Sequence, residues 1–89
     1  MNKLNEAVEK ISTKEDFLEF TQILMEDLSL NKWENNNLAD YLEGVNSWVD
    51  DMEGYFENMK DFDTLEKINK NQLDWKIFAK ILLAATMYE

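Results

Sequence analysis

No proline interrupts the 89 residues, and glycine occurs only twice, at Gly44 and Gly54. The turn chemistry that divides a chain into short strands is nearly absent, which leaves helices as the element such a chain can build. The apolar residues agree with this. Leu38, Tyr41, Leu42, Val45, Trp48, Val49, Met52, Tyr55, Phe56 and Met59 recur at spacings of three and four, the period that lines one face of an α-helix. Asn35, Asn36 and Asn37 precede the run and offer side-chain acceptors to its first amides. Asp40 stands in the first turn, where the helix dipole favours an acid. The spacing predicts a helix over about 36–59.

Upstream, Ser12 and Glu15 form a capping-box pattern ahead of Phe17, Phe20, Thr21, Leu24 and Leu28, joined by Leu18 and Met25, and predict a helix over about 13–30. Leu73, Ile77, Phe78, Ile81, Leu82, Ala85 and Tyr88 predict a last helix over about 72–88, with Asn71 and Asp74 at its N-cap and third positions. Trp75, Ala79, Leu83 and Met87 widen its apolar face, which suits a core or a homodimer equally. Leu4, Ala7, Val8 and Ile11 predict a short N-terminal helix that needs tertiary support. Between Met59 and Asn71 the pattern weakens, and an ordered loop is expected in which Asp63 or Thr64 caps at most one short turn. The whole predicts one all-α domain over residues 1–89, a small bundle of three main helices plus the short N-terminal one, since chains this short rarely hold two cores.

Nineteen acids against nine cations, all of them lysine, give a formal charge of −10, and His, Arg and Cys do not occur. Disulfides and thiolate chemistry are excluded, and the commonest general acid/base and the bidentate phosphate fork are missing. Ser12, Ser29 and Ser47 have no histidine to take their proton, and two glycines ten residues apart cannot make a phosphate-cradling loop. Asp50, Glu53 and Glu57 share a helical face with Asp51 beside them, but neither Asp50–Gly54 nor Asp61–Asp63 has the ligand spacing of a calcium loop. We therefore expect no catalytic residue, cofactor or metal, and a solvated acidic face. The charge disfavours direct contact with nucleic acid or anionic membranes, and admits a protein partner with a basic surface. The longest apolar stretch, Ile81–Ala85, is too short to span a bilayer, and the first residues lack a signal-peptide pattern, so a cytoplasmic location is expected. Residues 31–60 are the most acidic third, with seven acids and two lysines.

Eleven aromatics include Trp33, Trp48 and Trp75. Trp48 and Trp75 are expected to fill the core, because each large ring can bury about 150–250 Å². Trp33 stands in a polar stretch, where it either plugs an open end of the core or faces a partner. Gly44 and Gly54 fall near one stripe with Ser47 and Asp51. Such a stripe either admits the close approach of another element or, at Gly54, merely weakens the helix near its end.

In order along the chain, Trp33-Glu34-Asn35, Tyr41-Leu42-Glu43, Trp48, Asp51, Gly54-Tyr55, Glu57-Asn58, Trp75, Phe78-Ala79, Ala84-Ala85 and Tyr88-Glu89 resemble a family of small bacterial proteins of unknown function. The resemblance covers roughly residues 13–89. It departs from the family pattern where Asn69–Asp74 replaces a proline-containing link and where Phe56 stands for a second tyrosine. It implies a compact helical fold and carries no activity. It also singles out Trp33, Glu34, Asn35, Glu43, Trp48, Asp51, Tyr55 and Asn58 as a candidate interaction surface, with local capping and indole or phenol hydrogen bonding as the plainer role of the polar members. The function expected is a non-enzymatic, acidic protein-binding module. The alternatives are an immunity protein that neutralises a basic nuclease or other toxin, and an acidic DNA mimic.

Overall fold

The computed structural model describes residues 3–30, 33–35 and 37–87. Five helices follow one another: α1 (Lys3–Glu9), α2 (Lys14–Leu30), α3 (Leu38–Asn58), α4 (Phe62–Asn69) and α5 (Trp75–Ala84). No strand occurs among the described residues. α5 is the central element, because α1, α2 and α3 all pack against it, while α1 also meets α2 and α4 lies on α3.

Two hydrophobic clusters share α5. Leu4, Val8 and Ile11 join Phe17, Phe20 and Leu24 around Ala79, with Leu82 and Leu83 at the edge. Trp48, Met52 and Phe56 close on Ile77 and Ile81, with Val45, Leu65, Ile68 and Ala84 around them. The wide apolar face of the last helix is thereby explained: one side of α5 serves the α1–α2 cluster and the other serves the α3–α4 cluster. α1 has only seven residues and would be marginal alone. It is held because Leu4 and Val8, with Ile11 just beyond it, are all buried, each side chain contributing about 1.5–3 kcal/mol on transfer from water.

Several boundaries differ from the sequence expectation, each for a local reason. The expected loop after Met59 is α4. It begins at an N-cap formed by Asp61, whose Oδ1 accepts the Thr64 N–H and whose Oδ2 accepts the Thr64 hydroxyl, so neither Asp63 nor Thr64 is the cap. α5 starts at Trp75 because Asp74 is its N-cap, accepting the Ile77 N–H at 2.8 Å. It ends at Ala84, and Tyr88, expected in its last turn, lies outside the described residues. Asn71, expected to cap α5, instead closes α4 in the left-handed conformation with φ 58°. Asp74 also receives the Lys67 ammonium at 2.6 Å, which ties α4 to the start of α5. Upstream, the capping box is Thr13 with Asp16 rather than Ser12 with Glu15: the Asp16 N–H donates to Thr13 Oγ1, and the Asp16 carboxylate accepts the Thr13 and Ser12 N–H groups. Those bonds hold the Asp16 carboxyl below its ordinary range. Trp75, expected in the core, is 40% exposed and leans on Phe17 with ring centroids 5.2 Å apart. The indole therefore covers the α2–α5 seam from outside.

Candidate functional site

The link between α2 and α3 is pinned at three points, and the pins decide what the surface beside it presents. The Trp33 indole N–H donates to Asp27 Oδ2 at 2.8 Å, and its ring stacks on Tyr41 with centroids 5.8 Å apart. The Tyr41 hydroxyl in turn donates to the Leu82 carbonyl at 2.8 Å, and burial pushes its pKa above the ordinary phenol value. Asn35 is buried: its backbone N–H donates to the Thr86 carbonyl at 2.9 Å and its Nδ2 to the Ala85 carbonyl at 2.8 Å. These carbonyls belong to the end of α5, where a helix leaves acceptors without internal partners. Trp33 and Asn35 thus fasten the link to the end of the central helix, and Glu34, between them, is left exposed.

Beside this staple lies an open concavity of about 790 Å³ along the first half of α3, lined by Glu34, Asn35, Ala39, Asp40, Leu42, Glu43, Asn46 and Ser47. Three carboxylates face it, and no lysine is among the described residues that line it. Asp40 is held in place by a reciprocal cap: its N–H donates to Asn37 Oδ1 at 2.9 Å and its Oδ2 accepts from Asn37 Nδ2 at 2.8 Å. Glu34 and Glu43 are solvent-exposed, and Leu38 and Leu42 stand exposed on the same half of the helix.

A second concavity, about 690 Å³, opens at the other end of α3, in the seam with α1 and α5. Trp48, Tyr55, Phe56 and Met59 form its α3 wall, Val8 contributes from α1, and Leu83 and Ala84 from α5. The three rings pack edge to face: Trp48 meets Phe56 at 85° and Tyr55 meets Phe56 at 80°. Lys80 reaches in from α5 and holds its ammonium 5.4 Å from the Phe56 ring centre.

The eight candidate residues therefore fall into two groups. Glu34, Asn35 and Glu43 line the acidic concavity, with Trp33 behind them as part of its support, while Trp48 and Tyr55 line the aromatic cleft. Asp51 and Asn58 lie one turn to either side of Tyr55 on α3, both exposed. Asn35 and Trp48 are themselves largely buried, at 8% and 6% exposure, and each lends only an edge to its concavity. The Trp33 indole and the Tyr41 hydroxyl take Asp27 and the Leu82 carbonyl as their partners. Lys80, Asp40 and Met59 line the concavities but were not among the candidates. Asp40 was visible in the sequence only as a first-turn acid, and nothing local marks Lys80, because α5 brings it to the cleft from another element. Among the described residues no group of three or more acids is placed to hold a metal ion, and no helix is long and apolar enough to cross a membrane.

The class this defines is a small all-α domain built on a shared central helix, with an acidic hollow and an aromatic cleft at opposite ends of its longest helix. The chain belongs to the DUF7660 family, a family of unknown function, whose model matches residues 13–89. No curated protein and no solved structure matches it.

Proposed function

We propose that this chain is a non-catalytic docking module that holds a basic protein surface against the acidic concavity beside the first half of α3. The observation that carries the reading is that concavity itself: Glu34, Asp40 and Glu43 face one hollow, with no lysine among the described residues that line it, on a backbone fastened by Trp33 and Asn35. A rigid acidic hollow in a chain of net charge −10 attracts a basic partner over long range and fixes its orientation at short range. The exposed Leu38 and Leu42 add an apolar contact at its edge. Glu34 and Glu43 are the contact residues in this reading, and Trp33 and Asn35 the positioning ones.

The test is retention of a partner from the lysate of the source cell, at low and high salt, by the protein and by a Glu34→Gln/Glu43→Gln variant. Both side chains are exposed, so the variant should melt with the parent. The expected result is a basic protein retained at low salt, released at high salt and lost by the variant. Equal retention by the variant, or retention indifferent to salt, overturns the proposal. A retained nuclease whose activity is blocked narrows it to toxin neutralisation. A retained DNA-binding protein released by added DNA narrows it to DNA mimicry.

A further inference from the structure

We infer that the cleft between α1, α3 and α5 is a binding site for a small amphiphilic carboxylate, which places its charge on Lys80 and its apolar body along Val8, Tyr55, Met59 and Leu83. The site is separate from the acidic concavity and does not depend on its role. Three observations carry the assignment. The first is form: at about 690 Å³ the cleft falls within the range of about 300–1,000 Å³ typical of ligand pockets, with aromatic and aliphatic walls on α1, α3 and α5 and a polar rim of Asn5, Glu9, Asp61 and Lys80.

The second is the position of Lys80. Among the described residues it is the single cation lining the cleft, in a chain where acids outnumber lysines by nineteen to nine. Lys67, Lys70 and Lys76 each stand within 4.0 Å of a carboxylate, whereas no ion pair joins Lys80 to any carboxylate among the described residues. Lys80 is half-buried as a residue, and its ammonium lies 5.4 Å from the centre of the Phe56 ring. A cation partly withdrawn from water gains most from an anionic acceptor, because a charge-assisted hydrogen bond is about twice as strong as a neutral one.

The third is that the carboxylates lining the cleft already have partners. Both oxygens of Asp61 serve Thr64 at the start of α4, and Glu9 faces Lys76 at 4.0 Å. Neither forms an ion pair with Lys80, which leaves its ammonium to an acceptor from a ligand. The anionic group must be small and singly charged, because a net charge of −10 gives a polyanion no steering toward the protein. Burial of the apolar body supplies the affinity, and Lys80 supplies the discrimination for acid over alcohol.

The experiment is an NMR titration of the 15N-labelled protein with decanoate, with 3-phenylpropionate and, as the uncharged control, with 1-decanol. Saturable shifts confined to the cleft are expected for at least one acid, with decanoate bound at least about tenfold more tightly than decanol. That factor corresponds to about 1.4 kcal/mol. Lys80→Met keeps most of the stem, loses the charge and should erase the difference between acid and alcohol. Met59→Asp, at an exposed position on the cleft wall, should weaken the acids while leaving the melting temperature unchanged, which guards against a folding defect in the Lys80 variant. Whichever acid binds more tightly names the ligand body as aliphatic or aromatic. Equal affinity for decanoate and decanol, or no saturable shift with either acid, overturns the inference.

Discussion

Along its first half α3 offers Asp40 and Glu43 to an acidic hollow, whereas along its second half it offers Trp48, Tyr55 and Phe56 to an aromatic cleft. The two ends are also held in different ways. The first is fastened by a few directional bonds: Trp33 to Asp27, Tyr41 to the Leu82 carbonyl, and Asn35 to the Ala85 and Thr86 carbonyls. The second is held by volume, with Met52, Phe56, Ile77 and Ile81 packed together in one cluster. Directional bonds fix a polar surface to a fraction of an ångström without placing much apolar area around it. Close packing fixes an apolar wall but is sensitive to each methylene removed. One helix can therefore present two chemistries, because its two halves are positioned by different kinds of force.

The largest effect should come from the packed end. Phe56 is 1% exposed and touches Trp48, Tyr55 and the Lys80 ammonium. Phe56→Ala removes that ring from the floor of the α3–α4 cluster and should cost about 3–5 kcal/mol in urea or guanidinium unfolding. A loss below about 1 kcal/mol would show that the cluster collapses readily and that the cleft wall is soft.

At the stapled end the effect should be smaller and of a different kind. Trp33→Ala loses the stacking on Tyr41 and leaves Asp27 without the indole donor, and should cost about 2–3 kcal/mol. Trp33→Phe keeps the ring contact and loses only the N–H bond, so about 1 kcal/mol is expected. Equal losses in the two variants would make the hydrogen bond, rather than the ring, the fastening. An unchanged melting temperature in both would release Trp33 from the support of the link and return it to the role of a partner-facing anchor.

The same contrast governs what was legible in the sequence. Helix α3 was readable almost to its ends, since nine of the ten apolar positions read at helical spacing lie in it, the tenth, Met59, is its C-cap, and Asn37 with Asp40 form an ordinary N-terminal cap. The last helix was readable in type, but the breadth of its apolar face suited a core or a homodimer equally, and only the packing shows two clusters sharing it. Helix α4 was not, for two reasons. Phe62, Leu65 and Ile68 keep a spacing of three, but three apolar residues in an eight-residue helix make too short a run to stand out beside the longer helices, and none of its residues is fully buried. Its boundaries also use left-handed Lys60 and Asn71, with φ 59° and 58°, where glycine would have announced a helix end. In both places the residue two positions after the C-cap donates back to a carbonyl of the last turn: Asp61 to Phe56, and Gln72 to Lys67. As for the site, the Trp33-Glu34-Asn35 segment was visible as unusual, but the division of labour within it was not. Asn35 finds its carbonyls fifty residues away, and long-range pairing leaves no local pattern.

The smallest predicted effect tests what glycine does on the cleft half of α3. The stripe of Gly44, Ser47, Asp51 and Gly54 admits two readings, close approach of another element or simple weakening of the helix. The two glycines differ: Gly44 is buried, whereas a Cβ built at Gly54 meets nothing within 4 Å. Gly54 has no positive φ to preserve and lies four residues before the end of α3. Gly54→Ala should then stabilise the protein by about 0.5–1 kcal/mol, through reduced freedom of the unfolded chain and better helix propensity. Ligand titration in the cleft should be unchanged, because the added methyl faces open space. Destabilisation on thermal melting would mean that another element does approach Gly54 in solution, and would place a contact on the half of α3 that otherwise ends in the cleft.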